Sequence, residues 1–211
     1  MEEFRLGNPA IVCRWRLSGG KLPLESRHLR ALSGRKTTGE VVSPALVAWA
    51  KQHLEWTLES GSAEHPDGVL MLVVDEGGKA AMTVGEYAPL AHTTANDLLL
   101  RAASAWKEAE ETHVSPEDLW LVRGETLVWC TSPDFCPSGS SSLIDDLART
   151  LGMTVTHEDG ALIRATAQGF SCDEAFLVSD EHGVVPASDR CGMRAQKFAA
   201  SYQKLLHSKR V

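Results

Sequence analysis

The sequence predicts an α+β fold in which β-hairpins alternate with amphipathic helices. Paired apolar runs are joined by short glycine-containing turns, and longer segments with helical periodicity separate these pairs. The chain contains no internal repeat and no low-complexity linker. Because glycine readily adopts the positive φ angles of tight turns, the sequences SGGK, EGGK, RGE and EHG each mark a reversal of the chain.

The first part of the chain, residues 1–88, is predicted to contain a strand, two helical segments and a hairpin. AIVCRWRL reads as the strand, and LPLESRHLRALSGRK begins extended and continues as a helical turn that carries His28. SPALVAWAKQHLEWTLES is predicted to be an amphipathic helix, with Ser43 as its N-cap and Pro44 in its first turn. GVLMLVVDEGGKAAMTVGEY reads as the hairpin. The apolar side of the amphipathic helix is expected to comprise Leu46, Trp49, Leu54 and Trp56.

The second part, residues 89–211, is predicted to be larger and mixed. It contains a helix over 94–111, a hairpin around RGE, and the helix SGSSSLIDDLARTLGM. The hairpin DEAFLVSDEHGVVPAS and a final helix over 194–209 complete it. The two parts are thus two small α/β halves with a cleft between them, and His92 lies where they join. Ligand sites commonly occupy such interfaces.

Composition excludes several classes of function. The chain has 211 residues, of which 43% are hydrophobic, so it can form a substantial core. Its net charge is -7, whereas nucleic-acid binding needs a concentrated basic face. No apolar run approaches the roughly 20 residues of a membrane span. The acidic start MEEFRLGNPA lacks the apolar segment of a signal peptide, which favours a cytoplasmic protein.

The cysteines predict reduced, structural thiols rather than disulfides or a metal site. Their number is odd, they are widely spread, and no Cys-x-x-Cys is present. CTSPDFC has five residues between its cysteines, unlike the usual zinc spacings. The five are Cys13, Cys130, Cys136, Cys172 and Cys191.

Four segments resemble, in order, motifs of the class IV aminotransferases, the fold-type-IV group of pyridoxal-phosphate enzymes. CRWRLSGGKLPLESRHLRAL resembles the early strand, turn and His-Leu helix, and HTTANDLLLRAASAWKEA resembles the central segment that follows the catalytic lysine. CPSGSSSLIDDLARTLGMTV resembles the Pro-Gly helix start, and CDEAFLVSDEHGVVPAS resembles the ADEVFLTxT hairpin. The group includes branched-chain and D-amino-acid aminotransferases and aminodeoxychorismate lyases. The resemblance spans nearly the whole chain and implies the same fold and a homodimer.

The resemblance breaks at the lysine that forms an imine with the coenzyme aldehyde. Only an amine makes this imine, and His92 stands at the lysine position. The nearest lysines are no substitute, because Lys79 lies in a hairpin turn and Lys107 lies well along a helix.

The expected phosphate ligands are also altered. Ala31 falls on the position of the arginine that binds phosphate in the group, and Arg30 is displaced by a helical rotation of about 100°. Asp180 falls on or next to a phosphate-binding threonine, where its carboxylate would repel a phosphate. The helix start SGSSS still offers backbone donors for an anion. The stretch that carries the glutamate partner of the pyridine nitrogen is absent. The glycine-rich segment before the group's FET motif is also absent, and Cys13 stands near the place of the glutamate in that motif. The resemblance with these losses implies a protein that uses no cofactor.

The resulting hypothesis is a cofactor-independent enzyme that carries out acid/base chemistry on a small carboxylate-bearing metabolite in the cleft. Cyclisation, isomerisation, elimination or hydrolysis would fit. The candidate catalytic residues are His92 as proton-transfer group, Asp180 as its orienting carboxylate and Cys13 as a nucleophile. The candidate substrate-binding residues are Arg14, Arg16, His28, Arg30, Ser140 and Ser141.

Two other functions remain open from the sequence. The chain could be a non-catalytic partner subunit, or a true pyridoxal-phosphate aminotransferase or lyase if the alignment is misread. A structural interpretation also exists for the key residues. His92 could be a solvated residue before a helix capped by Thr94 and its neighbours, and Asp180 could be an ordinary turn residue.

Overall fold

The computed structural model describes residues 5–37, 39–169 and 171–207. The elements follow the order β1 (Pro9–Arg16), α1 (Glu25–Ser33), β2 (Lys36–Thr37), β3 (Glu40–Val41), α2 (Pro44–Gly61), β4 (Val69–Asp75), β5 (Ala80–Gly85), α3 (Ala95–Thr112), β6 (Asp118–Arg123), β7 (Thr126–Trp129), α4 (Gly139–Thr150), β8 (Thr154–His157), α5 (Ala161–Gln168), β9 (Glu174–Ser179), β10 (Gly183–Pro186) and α6 (Met193–Leu206). The last predicted residues of the final helix, 208 and 209, lie outside the described residues.

The first sheet has the order β1-β4-β5 and is antiparallel throughout. Its buried side chains, among them Trp15 and Leu70, form a core with Leu54 of α2. Ser43 caps α2 by accepting a hydrogen bond from the backbone N–H of Leu46, as predicted. The expectation that Trp56 lies on the apolar side was wrong, since it is 55% exposed. Two residues beyond Leu54 correspond to a rotation of about 200° around the helix, which turns the indole away from the sheet.

The second sheet has the order β10-β9-β6-β7-β8, in which only the β7–β8 pair is parallel. Helices α3 and α5 cover one face, where they pack on Leu119 and Leu121 of β6. Helices α4 and α6 cover the other face, where they pack on Trp120 and Val122. Both faces are therefore buried, which explains why β6 is an almost unbroken apolar run instead of an alternating one.

Backbone hydrogen bonds connect β1 to the residue after β9 and to the end of α3. The N–H of Arg16 donates to the carbonyl of Asp180 over 3.0 Å, and the N–H of Val12 donates to the carbonyl of His113 over 3.0 Å. The strands of the first sheet all precede residue 88 and those of the second all follow it. The division of the chain into halves at that residue stays a prediction. Among the described helices, none is long and apolar enough to span a membrane.

Candidate functional site

The carboxylate of Asp180 lies at the N-terminus of α4, in the joint between the sheets. Asp180 directly follows β9 and is 7% exposed. One oxygen accepts a hydrogen bond from the backbone N–H of Ser140 over 2.7 Å, and the other lies 3.4 Å from the N–H of Gly139. Nδ1 of His28 on α1 lies 3.3 Å from the same second oxygen. The donors that the sequence offered to an external anion therefore bind the chain's own carboxylate.

Two buried carboxylates near the start of α4 differ in how their charge is stabilised. Burial raises the pKa of Asp180, but the charge of His28 and the hydrogen bond from Ser140 outweigh it, and the pKa lies below its ordinary value. Burial raises the pKa of Asp118 to about 7, although Ser141 donates a hydrogen bond to it. Within the described residues, one oxygen of Asp118 has no hydrogen-bond partner. Asp180 is thus charged at neutral pH, whereas Asp118 is partly protonated.

The thiol of Cys13 shares a very small cavity with His28 and Asp180. Burial raises the pKa of Cys13 to about 12, although the charge of Arg35 opposes the shift, so the thiol stays protonated at neutral pH. The free volume of the cavity is about 10 Å³, which is roughly the volume that one water molecule requires. On the other side of Asp180, a second cavity of about 20 Å³ is bordered by Arg14. The centre of the joint is therefore filled by side chains.

Several predicted binding groups are used within the protein. Arg14 forms an ion pair with Glu108 over 3.1 Å. The hydroxyl of Ser140 lies 3.1 Å from that of Tyr202, and Ser140 and Ser141 are both fully buried. The structure thus brings three predicted residues, Cys13, His28 and Ser140, to the carboxylate of Asp180. The hydroxyl of Ser141 binds Asp118 instead.

Two predicted residues do not lie where the sequence analysis placed them. His92 was expected to point into the cleft, but its side chain is exposed and lines none of the cavities described here. It precedes Thr94, which starts α3 in a capping box with Asp97, and Thr93 is fixed by a hydrogen bond from the backbone of Ser188. Arg30 is also exposed, because the buried side of α1 carries His28 and its apolar neighbours.

A polar groove of about 350 Å³ lies beside the joint, and Arg16, Tyr87 and His182 line it. The Tyr87 hydroxyl is 3.4 Å from Nδ1 of His182, and Nε2 of His182 is 3.7 Å from a carboxylate oxygen of Glu117. The guanidinium carbon of Arg16 stacks 3.3 Å from the centre of the Tyr87 ring. Of these residues, only Arg16 was a candidate from the sequence.

Burial sets the protonation of the groove residues. It lowers the pKa of His182, although Glu117 and Glu181 oppose the shift, so the imidazole is neutral near pH 7. Burial also raises the pKa of Tyr87, which keeps the phenol protonated. A hydrogen on Nε2 faces the Glu117 carboxylate favourably, which leaves Nδ1 to accept from the Tyr87 hydroxyl; this tautomer is assigned from the neighbouring groups. Glu117, His182 and Tyr87 therefore form a polar chain that reaches the groove.

Glu117, Glu181 and His182 also have the spacing of metal ligands, since their ligand atoms all lie within 4.8 Å of one another. Arg101, however, hydrogen-bonds both oxygens of Glu117, and Arg14 is 3.8 Å from Glu181. Two guanidinium groups thus balance the charge of the two carboxylates. These ion pairs explain why the carboxylates lie close together, and no metal ion is needed.

Comparisons with known proteins identify the fold. No family model matches the sequence, and no curated protein matches it. A putative 4-amino-4-deoxychorismate lyase from Legionella pneumophila superposes with a TM-score of 0.63 at 12% identity, over 97% of this chain and 96% of that one. The PLP-bound form of a hypothetical aminotransferase from Mycobacterium tuberculosis gives a TM-score of 0.64 at 14% identity, over 99% of this chain and 95% of that one. The chain has the fold-type-IV aminotransferase-like fold, as predicted, in a divergent form.

Proposed function

We propose that this chain works without pyridoxal phosphate and catalyses proton transfer on a small carboxylate-bearing metabolite bound in the groove at Tyr87. The proposal is carried by the polar chain that runs from the buried Glu117 through His182 to Tyr87 and ends at this groove. The groove volume of about 350 Å³ falls within the usual range for small-molecule sites, roughly 300–1,000 Å³. Proton transfer is thereby assigned to Tyr87 and His182 instead of His92.

The residues at the joint do not fit pyridoxal phosphate. The carboxylate of Asp180 occupies the backbone donors of α4, where it would repel a phosphate group. His92 cannot form the required imine and is exposed. The free volumes on the two sides of Asp180, about 10 and 20 Å³, leave no room for a substituted pyridine ring. These features support a scaffold that uses no coenzyme.

The chemistry follows from the polar chain. The Tyr87 oxygen takes a proton from the bound metabolite as its own proton passes to Nδ1 of His182. The resulting imidazolium is stabilised by the carboxylate of Glu117, as in other carboxylate–histidine arrangements. The stacked guanidinium of Arg16 favours the transient phenolate and binds the metabolite's carboxylate. The long spacings along the chain are typical of unliganded sites, which tighten when substrate binds.

The test is hydrogen–deuterium exchange at the carbon next to the carbonyl in a panel of small 2-oxo acids, followed by proton NMR in deuterated buffer. We expect the wild-type protein to accelerate exchange in at least one of them. Tyr87→Phe should abolish exchange while retaining binding by calorimetry, Arg16→Gln should weaken binding, and His92→Gln should match the wild type. Exchange unaffected by Tyr87→Phe, or no acid bound at all, would contradict the proposal.

A second candidate function is a non-catalytic partner subunit, either in a homodimer or beside another protein. The filled centre of the joint favours it, because the place where this fold usually holds its reactive group has only about 10 Å³ of free volume. Light scattering after gel filtration, together with copurification, separates the cases. A stable complex with a second protein, without exchange activity, would support the subunit over the enzyme.

A further inference from the structure

A cavity of about 560 Å³ lies between α3, the end of β7 and the start of α5. Its walls include Ala103, Trp106, Phe135 and Leu162, and it is larger than the groove at Tyr87. No residue lines both, so the cavity is a separate site. Its volume suits a small organic molecule, and its walls are largely apolar.

Two aromatic rings form one wall. The centroids of Trp106 and Phe135 are 4.7 Å apart, with an angle of 61° between the ring planes. Ala103, Trp106 and Glu110 recur at spacings of three and four residues on α3, which places all three on one side of the helix. Aromatic faces attract cations, most strongly those of tryptophan.

The rim of the cavity is acidic. Glu110, Asp134 and Asp159 line it, and no lysine, arginine or histidine is among its lining residues. Within the part of the chain that the structure describes, none of these three carboxylates forms an ion pair. The nearby guanidinium groups of Arg123 and Arg164 both bind Glu158, and Arg164 also donates to the backbone carbonyl of Asp159 over 3.2 Å. Three carboxylates beside these groups still leave the rim with an excess of negative charge next to the aromatic faces.

Two polar atoms at the cavity walls lack partners. Nε1 of Trp106 and the hydroxyl of Thr131 are buried, and neither forms a hydrogen bond with any described residue. Buried polar groups are nearly always hydrogen-bonded, to water or a ligand where the protein supplies no partner. Of the two, the Thr131 hydroxyl is the atom that can accept a hydrogen bond from an ammonium group, because the indole N–H is itself a donor.

We propose that this cavity binds a small organic cation, an ammonium group carried on an aromatic or alkyl body. The apolar body packs on Trp106 and Phe135, and the ammonium group lies at the rim near Glu110, Asp134 and Asp159. Two properties of the cavity select this class of ligand: its aromatic wall favours cations, and its acidic rim disfavours anions. Its volume is large enough for a small amine. The proposal does not depend on the chemistry in the groove at Tyr87.

The test compares three probes of similar shape and different charge by calorimetry: 2-phenylethylamine, 2-phenylethanol and 3-phenylpropionate. We expect the amine to bind more tightly than the alcohol and the carboxylate not to bind. Added salt should weaken the binding of the amine. The triple variant Glu110→Gln, Asp134→Asn, Asp159→Asn should weaken the amine by roughly tenfold or more. All three side chains are exposed, so the variant keeps its fold.

A matched control loses the same charge elsewhere, through Glu40→Gln, Glu55→Gln and Glu59→Gln at exposed positions of β3 and α2. It should bind the amine like the wild type, whereas Trp106→Ala should not bind it. Equal binding of amine and alcohol, equal loss in both triple variants, or no amine binding would overturn the proposal. So would a homodimer that Trp106→Ala dissociates, because a second copy would then cover the cavity.

Discussion

The joint between the sheets and the groove beside it contain similar groups in opposite settings. In the joint, His28 lies 3.3 Å from Asp180, and in the groove, His182 lies 3.7 Å from Glu117. The first pair has about 10–20 Å³ of free volume around it, whereas the second leads through Tyr87 to about 350 Å³. A histidine–carboxylate pair is therefore structural where helix donors bind the carboxylate and space is filled. Such a pair is a candidate for proton transfer where the histidine contacts a further polar side chain that reaches solvent, as His182 contacts Tyr87.

Replacing Asp180 gives the largest expected effect, because it removes the charge that caps α4 and pairs with His28. We expect Asp180→Ala to destabilise the fold by about 3–5 kcal/mol, the usual cost of breaking a buried pair. Urea unfolding at pH 7 measures this. Glu117→Gln is the matched change at the groove and should cost less, because Arg101 is partly exposed and can be hydrated. Equal losses would remove the distinction between the two pairs.

The same carboxylate predicts a pH dependence. The pKa of Asp180 is lowered in the folded protein, so its stabilisation is complete above its ordinary value of 3.8 and is lost as pH falls below it. Unfolding midpoints of the wild type should therefore drop in this acidic range, and those of Asp180→Ala should drop less.

Local patterns were sufficient to predict much of the fold but not the pairing of distant residues. Ser43 and Pro44 predicted the start of α2, and the glycine-containing turns predicted the hairpins. The contact between the side chains of Tyr87 and His182 could not be predicted, because the two residues are 95 positions apart in the sequence. They come together only when the two sheets are joined. The exposure of His92 likewise depends on a distant residue, because the backbone N–H of Ser188 binds the carbonyl of the adjacent Thr93.

A change at Gly139 tests how closely α1 approaches α4. A Cβ atom there would lie 2.7 Å from Nδ1 of His28 and 3.1 Å from its backbone nitrogen. Gly139→Ala should therefore separate the helices and destabilise the protein by about 1–3 kcal/mol, as overpacking usually does. Gly85→Ala is the control, because its Cβ would meet nothing within 4 Å. In thermal unfolding, the midpoint of Gly139→Ala should fall clearly further below that of the wild type than the midpoint of Gly85→Ala does.

Asp118 should show the opposite pH dependence to Asp180, with a smaller effect. Because burial raises its pKa to about 7, its contribution to stability declines as pH rises from 3.8 towards that value. Asp118→Asn keeps an acceptor for Ser141 and removes the buried charge, so it should stabilise the fold by on the order of 1 kcal/mol above pH 7. The gain should shrink as pH falls and vanish only below the ordinary value of 3.8. A variant less stable than the wild type at pH 8 would show that the charge of Asp118 is favourable.

The most direct test of whether this scaffold works without pyridoxal phosphate is to mix the purified protein with one equivalent of the coenzyme. Borohydride reduction and peptide mass spectrometry then locate any lysine that has formed an imine. We expect no lysine to be modified selectively and no coenzyme absorbance to remain after gel filtration. Stoichiometric modification of one lysine, with the coenzyme retained before reduction, would contradict the account, because Asp180 would then share its site with a phosphate.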